Sequence, residues 1–254
     1  MSVPMRPLLT ALVVLLAHVA SAGPKVVLDP GHGGAYEGAM GVGGVMEKQL
    51  ALEVSRRVRE KLEAAGYEVS MTRDRDVHVR LAERVAFSNA RRADLFVSIH
   101  CNSMPTQAAR QRVAGLQTYF LSADASGEEA GRTASRENAD SSTSRHPRAE
   151  DTLAFIVQDL QRTEAHRDSA RLAALLHARV LEASGAVDMG IQQAPFFVLM
   201  GMDAPAALVE MGYIAHPVEG KRLQQSEYQE KLAAGIVLGI RAFLDEHPAA
   251  TATP

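Results

Sequence analysis

The stretch Lys25-Val26-Val27-Leu28-Asp29-Pro30-Gly31-His32-Gly33-Gly34 constrains this chain more than any other. A β-branched run that stops at Asp-Pro-Gly reads as a buried strand ending in a glycine-rich turn, and the turn presents one imidazole, His32, at the strand's carboxyl end. Two further apolar runs repeat the arrangement: Leu95-Phe96-Val97-Ser98-Ile99 leads into His100, and Ala206-Ala207-Leu208-Val209 leads into Glu210. In a doubly wound sheet the carboxyl ends of the strands share one edge, where ligands bind, so residues distant in sequence converge there.

The segments between these runs supply the layers that such a sheet needs. From Met46 to Ala65 the apolar residues Leu50, Val54, Val58 and Leu62 recur every four positions, Gly66 follows as a stop, and Glu47 sits in the first turn. Tyr67, Val69 and Met71 alternate with polar residues as a strand, Arg73 to Arg80 is a charged loop, and Leu81 to Ala93 is a second helix. Further on, the pattern predicts strands at Gly115 to Leu121, Phe196 to Leu199 and Ala206 to Glu210. It predicts helices at Gly127 to Ala139, Glu150 to Gln161 and Arg167 to Ala183, with a polar, mobile loop over Asp140 to Ala149. A last helix reads from Ser226, with Gln229 completing a capping box, to about His247. The fold class is therefore α/β: a single domain with a mostly parallel, twisted central sheet and helices on both faces.

Met1 to Ala22 carries one charge, Arg6, then the apolar run Leu8 to Ala20 and the small-x-small triplet Ala20-Ser21-Ala22, the pattern of a cleaved signal peptide. Residues 1–22 are thus expected to be a signal peptide, 23–247 the folded domain and 248–254 a disordered tail. The formal net charge of −3 becomes one unit more negative once Arg6 is removed, so no basic footprint for nucleic acid survives. The one cysteine, Cys101, allows no internal disulfide and reads as a small buried residue. A monomer is expected.

His32, His100 and Glu47 form the two-imidazole, one-carboxylate set that suits a catalytic zinc ion with a fourth position left open, and Glu210 is the free acid beside it. An acid inside Ala-Ala-Leu-Val-Glu-Met-Gly is expensive to bury unless paired or catalytic. The other histidines read as bystanders. His78, His146, His166, His177 and His247 belong to loops or helix surfaces, and His216 to a turn before Pro217.

Six blocks in order carry a family resemblance: Leu28-Asp-Pro-Gly-His-Gly-Gly, Gly43-Gly-Val-Met-Glu-Lys, Met71-Thr-Arg-Asp, Leu81-Ala-Glu-Arg, Ser98-Ile-His-Cys-Asn and Leu208-Val-Glu-Met-Gly-Tyr-Ile. From Lys25 to about Leu244 the chain resembles the zinc-dependent N-acetylmuramoyl-L-alanine amidases, including the cell-separation amidases of Gram-negative bacteria. The resemblance implies that His32, Glu47 and His100 bind zinc, that Glu210 is the catalytic acid/base and that Asn102 shapes the substrate cleft. It implies peptidoglycan as substrate, the amide between N-acetylmuramic acid and L-alanine as the bond cleaved, and a periplasmic setting. In the cell-separation members a helical arm plugs the cleft until an activator protein removes it. The corresponding stretch here, Asp140 to Leu160, reads as a mobile cleft wall, with Glu150 as a candidate inhibitory ligand. Two other classes remain: a peptidoglycan-binding regulator without activity, and a zinc peptidase that cuts within the stem peptide.

Overall fold

The computed structural model describes residues 23–139 and 163–247. One six-stranded sheet organises them, in the order β2-β1-β3-β6-β4-β5, from β1 (Lys25–Pro30), β2 (Glu68–Met71), β3 (Leu95–Asn102), β4 (Leu116–Leu121), β5 (Asp188–Ala194) and β6 (Ala206–Tyr213). Four neighbouring pairs are parallel and one, β4 with β6, is antiparallel. The register sets Pro30 beside Ile99, and His100 beside Glu210, which faces Gln117 across its other edge. The carboxyl ends of β1, β3 and β6 thus meet at one edge.

Side-chain alternation divides the sheet into two faces. Leu28, Val97, Ile99, Cys101, Val209 and Met211 point into the larger core. That core is closed by α1 (Glu47–Ala64), α5 (Thr163–Ser184) and α7 (Ser226–Glu246), with the short α6 (Glu219–Leu223) at its end. In α1 all four residues of the period, Leu50, Val54, Val58 and Leu62, are buried, and Gly66 ends the helix at φ 87°, where a Cβ would be strained. Val27, Phe96 and Leu208 point to the other face, beneath α2 (Leu81–Arg91) and α4 (Glu128–Asn138). A four-residue helix, α3 (Gln107–Arg110), links β3 to β4.

The structure corrects several sequence expectations. Phe196 to Leu199 is a turn, closed by Leu199 N–H to Phe196 C=O, and the strand is instead Asp188–Ala194. Phe196, Val198 and Leu199 are apolar because they pack beneath the sheet, whereas β5 is an edge strand whose residues stay half-exposed. Ser226 is the first residue of α7 rather than its cap. Gln229 donates to the Leu223 carbonyl and to Glu53, so no capping box forms. His177 is buried, between Thr118 Oγ1 at 3.2 Å and Asp188 Oδ1 at 2.9 Å, rather than on a helix surface. Residues 1–22, the Asp140 to Ala149 loop, the Glu150 to Gln161 helix, His146, Glu150 and the 248–254 tail lie outside the described residues.

Phe196 is fully buried, edge-on to Tyr119 at 4.9 Å between ring centroids. Phe196→Ala is expected to cost about 3–5 kcal/mol in urea unfolding. A cost under about 1 kcal/mol would mean that this turn does not hold the second core together.

Candidate metal centre

His32 follows β1 in the turn, Glu47 is the first residue of α1, and His100 lies on β3 on the face away from the larger core. The structure brings the three together, all buried. Glu47 Oε1 lies 3.0 Å from His32 Nε2 and 2.9 Å from His100 Nδ1, and it accepts the Cys101 backbone N–H at 3.0 Å. Its other oxygen accepts the Ala39 N–H at 2.8 Å, which fixes the carboxylate plane.

Glycine is required where backbone crosses this cluster. A Cβ on Gly31 would stand 2.4 Å from the His100 ring, and one on Gly38, at φ 70°, would strike His32 and Glu47.

A fourth side chain enters from α4. Glu137 Oε2 lies 3.0 Å from His32 Nε2 and 2.9 Å from His100 Nδ1, so donor atoms of His32, Glu47, His100 and Glu137 all fall within 4.8 Å of one another. Among the described residues, His32 Nε2 and Glu137 Oε2 are buried without a well-formed hydrogen bond. Only His100 Nδ1 and Glu47 Oε1 of this set are hydrogen-bonded to each other, and the close approach of the other two atoms points at a common centre. Ligands about 2.0 Å from a tetrahedral ion stand about 3.3 Å apart, close to the spacing seen, and the two-nitrogen, two-oxygen set suits a zinc-like ion. The residues present therefore fit a metal ion.

The electrostatics agree. Burial favours neutral imidazoles, yet the Glu137 and Glu47 carboxylates outweigh it and raise His32 well above its ordinary value and His100 to about 9. Burial alone would raise Glu47, and His32 beside it instead holds it at about 2. A pocket that favours positive charge this strongly is one in which a cation is stabilised.

The matching family model, described as N-acetylmuramoyl-L-alanine amidase, spans residues 26–242 and so takes in every one of these residues. The chain belongs to that family. It is 34% identical to the amidase AmiC of Neisseria meningitidis over 87% of its own length and 53% of that protein's, so it spans about half of that relative. It is 32% identical to AmiA of Escherichia coli over 86% of its length and 75% of the other's. Among solved structures it is similar to the amidase AmiC2 of Nostoc punctiforme, with a TM-score of 0.65, 30% identity and coverage of 87% of this chain and 97% of that one. The catalytic domain of CwlV from Bacillus (Paenibacillus) polymyxa var. colistinus gives 0.66 at 27% identity, over 87% and 98%.

Glu210 completes the pocket of this amidase-family chain. It is fully buried, its Oε1 lies 3.4 Å from Arg136 Nη2, and its Oε2 has no hydrogen-bond partner among the described residues. Burial and the nearby Glu137 carboxylate, against the pull of Arg136, push its carboxyl up to about 8. His100 and Glu210 lie inside β3 and β6 rather than after them, and a register shift between His100 and Asn102 marks where the ladder gives way at the site. Asn102 is also buried. Its amide donates to Gln117 and Thr133, and its oxygen accepts from Ser103 N–H and Arg136.

Sequence reasoning missed Glu137, although a signal existed. Ala130, Thr133, Ala134 and Glu137 fall on one stripe of α4, and all four are buried. An acid on the buried stripe of a helix needs a partner, and here Arg136 pairs with one oxygen while the two histidines face the other.

Gly31→Ala is expected to leave the far-UV circular dichroism unchanged and to weaken zinc binding by at least about tenfold in chelator competition, because the His100 ring must move to admit the methyl group. Unchanged affinity would show that His100 does not need its present position to bind metal.

Proposed function

We propose that the chain is a zinc-dependent amidase that hydrolyses the amide joining N-acetylmuramic acid to L-alanine in peptidoglycan, with His32, Glu47 and His100 as the resident ligands and Glu210 as the acid/base. The observation that carries this is the convergence of these side chains at the carboxyl edge of a mostly parallel sheet, inside a family match that spans residues 26–242. A zinc ion supplies Lewis acidity there, polarising a carbonyl and making water easier to deprotonate near neutral pH. Glu210 takes the proton of the attacking water and returns it to the departing alanine amine.

Glu137 and Arg136 lie across this chemistry. Glu137 fills the position that water and substrate need, and Arg136 holds it through Nε at 2.8 Å while also engaging Asn102 and the Ser103 carbonyl. In this reading the described conformation is closed. Withdrawal of α4 frees the fourth position together with Asn102, which then lines the cleft, and a protein activator is the agent that withdraws it. Export through a signal segment at residues 1–22, with residues 23–247 acting in the periplasm as a monomer, completes the proposal. No helix among the described residues is long and apolar enough to cross a membrane.

The test is zinc content together with the mass of fragments released from purified peptidoglycan. An intact stem peptide with a free L-alanine amine supports the amidase. A shortened peptide supports a stem-peptide peptidase. Binding without release, in the purified chain and in Glu137→Ala alike, supports a non-catalytic regulator.

A further inference from the structure

Two of the sequence blocks singled out above, Met71-Thr-Arg-Asp and Leu81-Ala-Glu-Arg, contribute nothing to the ligand set. Both face the turn that carries His32. We propose that Arg73 and Arg84 are positioning residues whose guanidinium forks set the backbone of that turn and so aim the His32 imidazole at the metal; the inference rests on the metal reading above.

His32 sits at φ 57°, in the left-handed region that a side chain with a Cβ seldom adopts. Something must hold it there, and three successive carbonyls show what does. Arg84 Nη1 donates to the Pro30 carbonyl at 2.8 Å and Nη2 to the His32 carbonyl at 2.8 Å. Arg73 Nε donates to the Pro30 carbonyl at 3.0 Å, and its Nη2 reaches the Gly31 carbonyl at 2.6 Å and the Lys48 carbonyl at 2.8 Å. One guanidinium therefore ties the turn bearing His32 to the first turn of α1, next to Glu47, and fixes two ligands relative to each other.

The forks are themselves fixed. Arg84, almost fully buried, pairs with buried Asp29 at 2.7 Å, and Asp29 also accepts from Thr72 and Ser98. That partner lets a guanidinium remain charged in the core while its remaining donors point at the turn. Beyond the histidine, Lys48 donates to the Gly34 carbonyl and pairs with Asp76, which accepts the Gly34 N–H. A planar fork with several fixed donors suits this task, and an ammonium group of the same charge cannot span two carbonyls in the same way.

The test compares zinc dissociation constants, by chelator competition, and melting temperatures of the wild type, Arg73→Lys, Arg84→Lys and Leu172→Ala. Leu172 is a fully buried residue of the larger core, remote from the turn, and serves as a purely structural control. The two lysine variants are expected to melt cooperatively and to bind zinc about 10- to 100-fold more weakly. Leu172→Ala should melt lower yet bind zinc as the wild type does. Lysine variants with wild-type affinity would overturn the inference, as would affinity losses that simply follow melting temperature across all three variants. Among the described residues Arg73 hydrogen-bonds carbonyl oxygens and no buried acid, so if Arg84→Lys does not fold, Arg73→Lys decides alone. A wild type that takes up no zinc overturns the metal reading and this inference with it. A wild type that binds zinc, with lysine variants that bind equally well, overturns this inference alone.

Discussion

Glu210→Gln is expected to lower the rate of stem-peptide release at least about a hundredfold while zinc content stays at the wild-type level. A carboxyl group that is fully exposed in an unfolded chain and fully buried here loses its hydration, and among the described residues its one hydrogen-bond partner is Arg136, at 3.4 Å. One oxygen has no hydrogen-bond partner among the described residues, so the fold supports this acid at a net expense, as functional sites do. Burial, the largest cause of its upward shift, remains when Glu137 is withdrawn and favours a carboxyl that holds a proton long enough to return it to the departing amine, which an ordinary glutamate does poorly. Glutamine keeps the shape and removes the proton transfer. It also puts a neutral side chain of the same shape in a buried site that already disfavours the ionised carboxylate, so the fold should not suffer. A release rate within a few-fold of wild type, at equal zinc occupancy, would take the acid/base role away from Glu210.

Much of the site was legible because a strand and a helix advertise themselves by period, and the functional groups interrupt that period. His32, His100 and Glu210 each break or follow an apolar run, and Glu47 opens an amphipathic helix, so a parallel sheet was enough to bring them to one edge. Glu137 broke nothing visible. It sits in Arg136-Glu137-Asn138, within a helix so polar that another acid looked ordinary, and only the small-residue stripe of Ala130 and Ala134 marked the face it shares. The misplaced strand has a related cause. Apolar runs report burial rather than backbone shape, so Phe196 to Leu199 read as a strand although it turns. Asp188–Ala194 pairs on one edge only and lacks the expected alternation. The arginine cradle was hidden for a different reason: Arg73 and Arg84 lie in a charged loop and on a helix, and nothing in their spacing reveals that together they hold three successive carbonyls, sharing that of Pro30.

Glu137→Ala is expected to act in the opposite direction, raising the rate of release by the purified, zinc-loaded chain about tenfold or more without any second protein. A catalytic zinc site keeps one position open, and a fourth protein carboxylate closes it. What holds α4 in place is mainly polar. Glu129 meets the Tyr213 hydroxyl, Thr133 meets Asn102, Arg136 meets Asn102 and the Ser103 carbonyl, and Ala130 and Ala134 are the buried apolar residues of the helix. Such an interface gains little from the hydrophobic effect, so single charge-assisted contacts weigh heavily in it. Each contributes about 1.5–3 kcal/mol, and losing one shifts the balance toward the open form by about 10- to 150-fold. Zinc affinity should fall at the same time, because one of four donors is gone. The experiment measures initial release rates of wild type and Glu137→Ala at matched zinc occupancy. A variant slower than wild type would make Glu137 part of the chemistry and overturn its blocking role, whereas a faster one, together with a slow Glu210→Gln, separates the two acids: Glu210 transfers the proton, and Glu137 decides when it can.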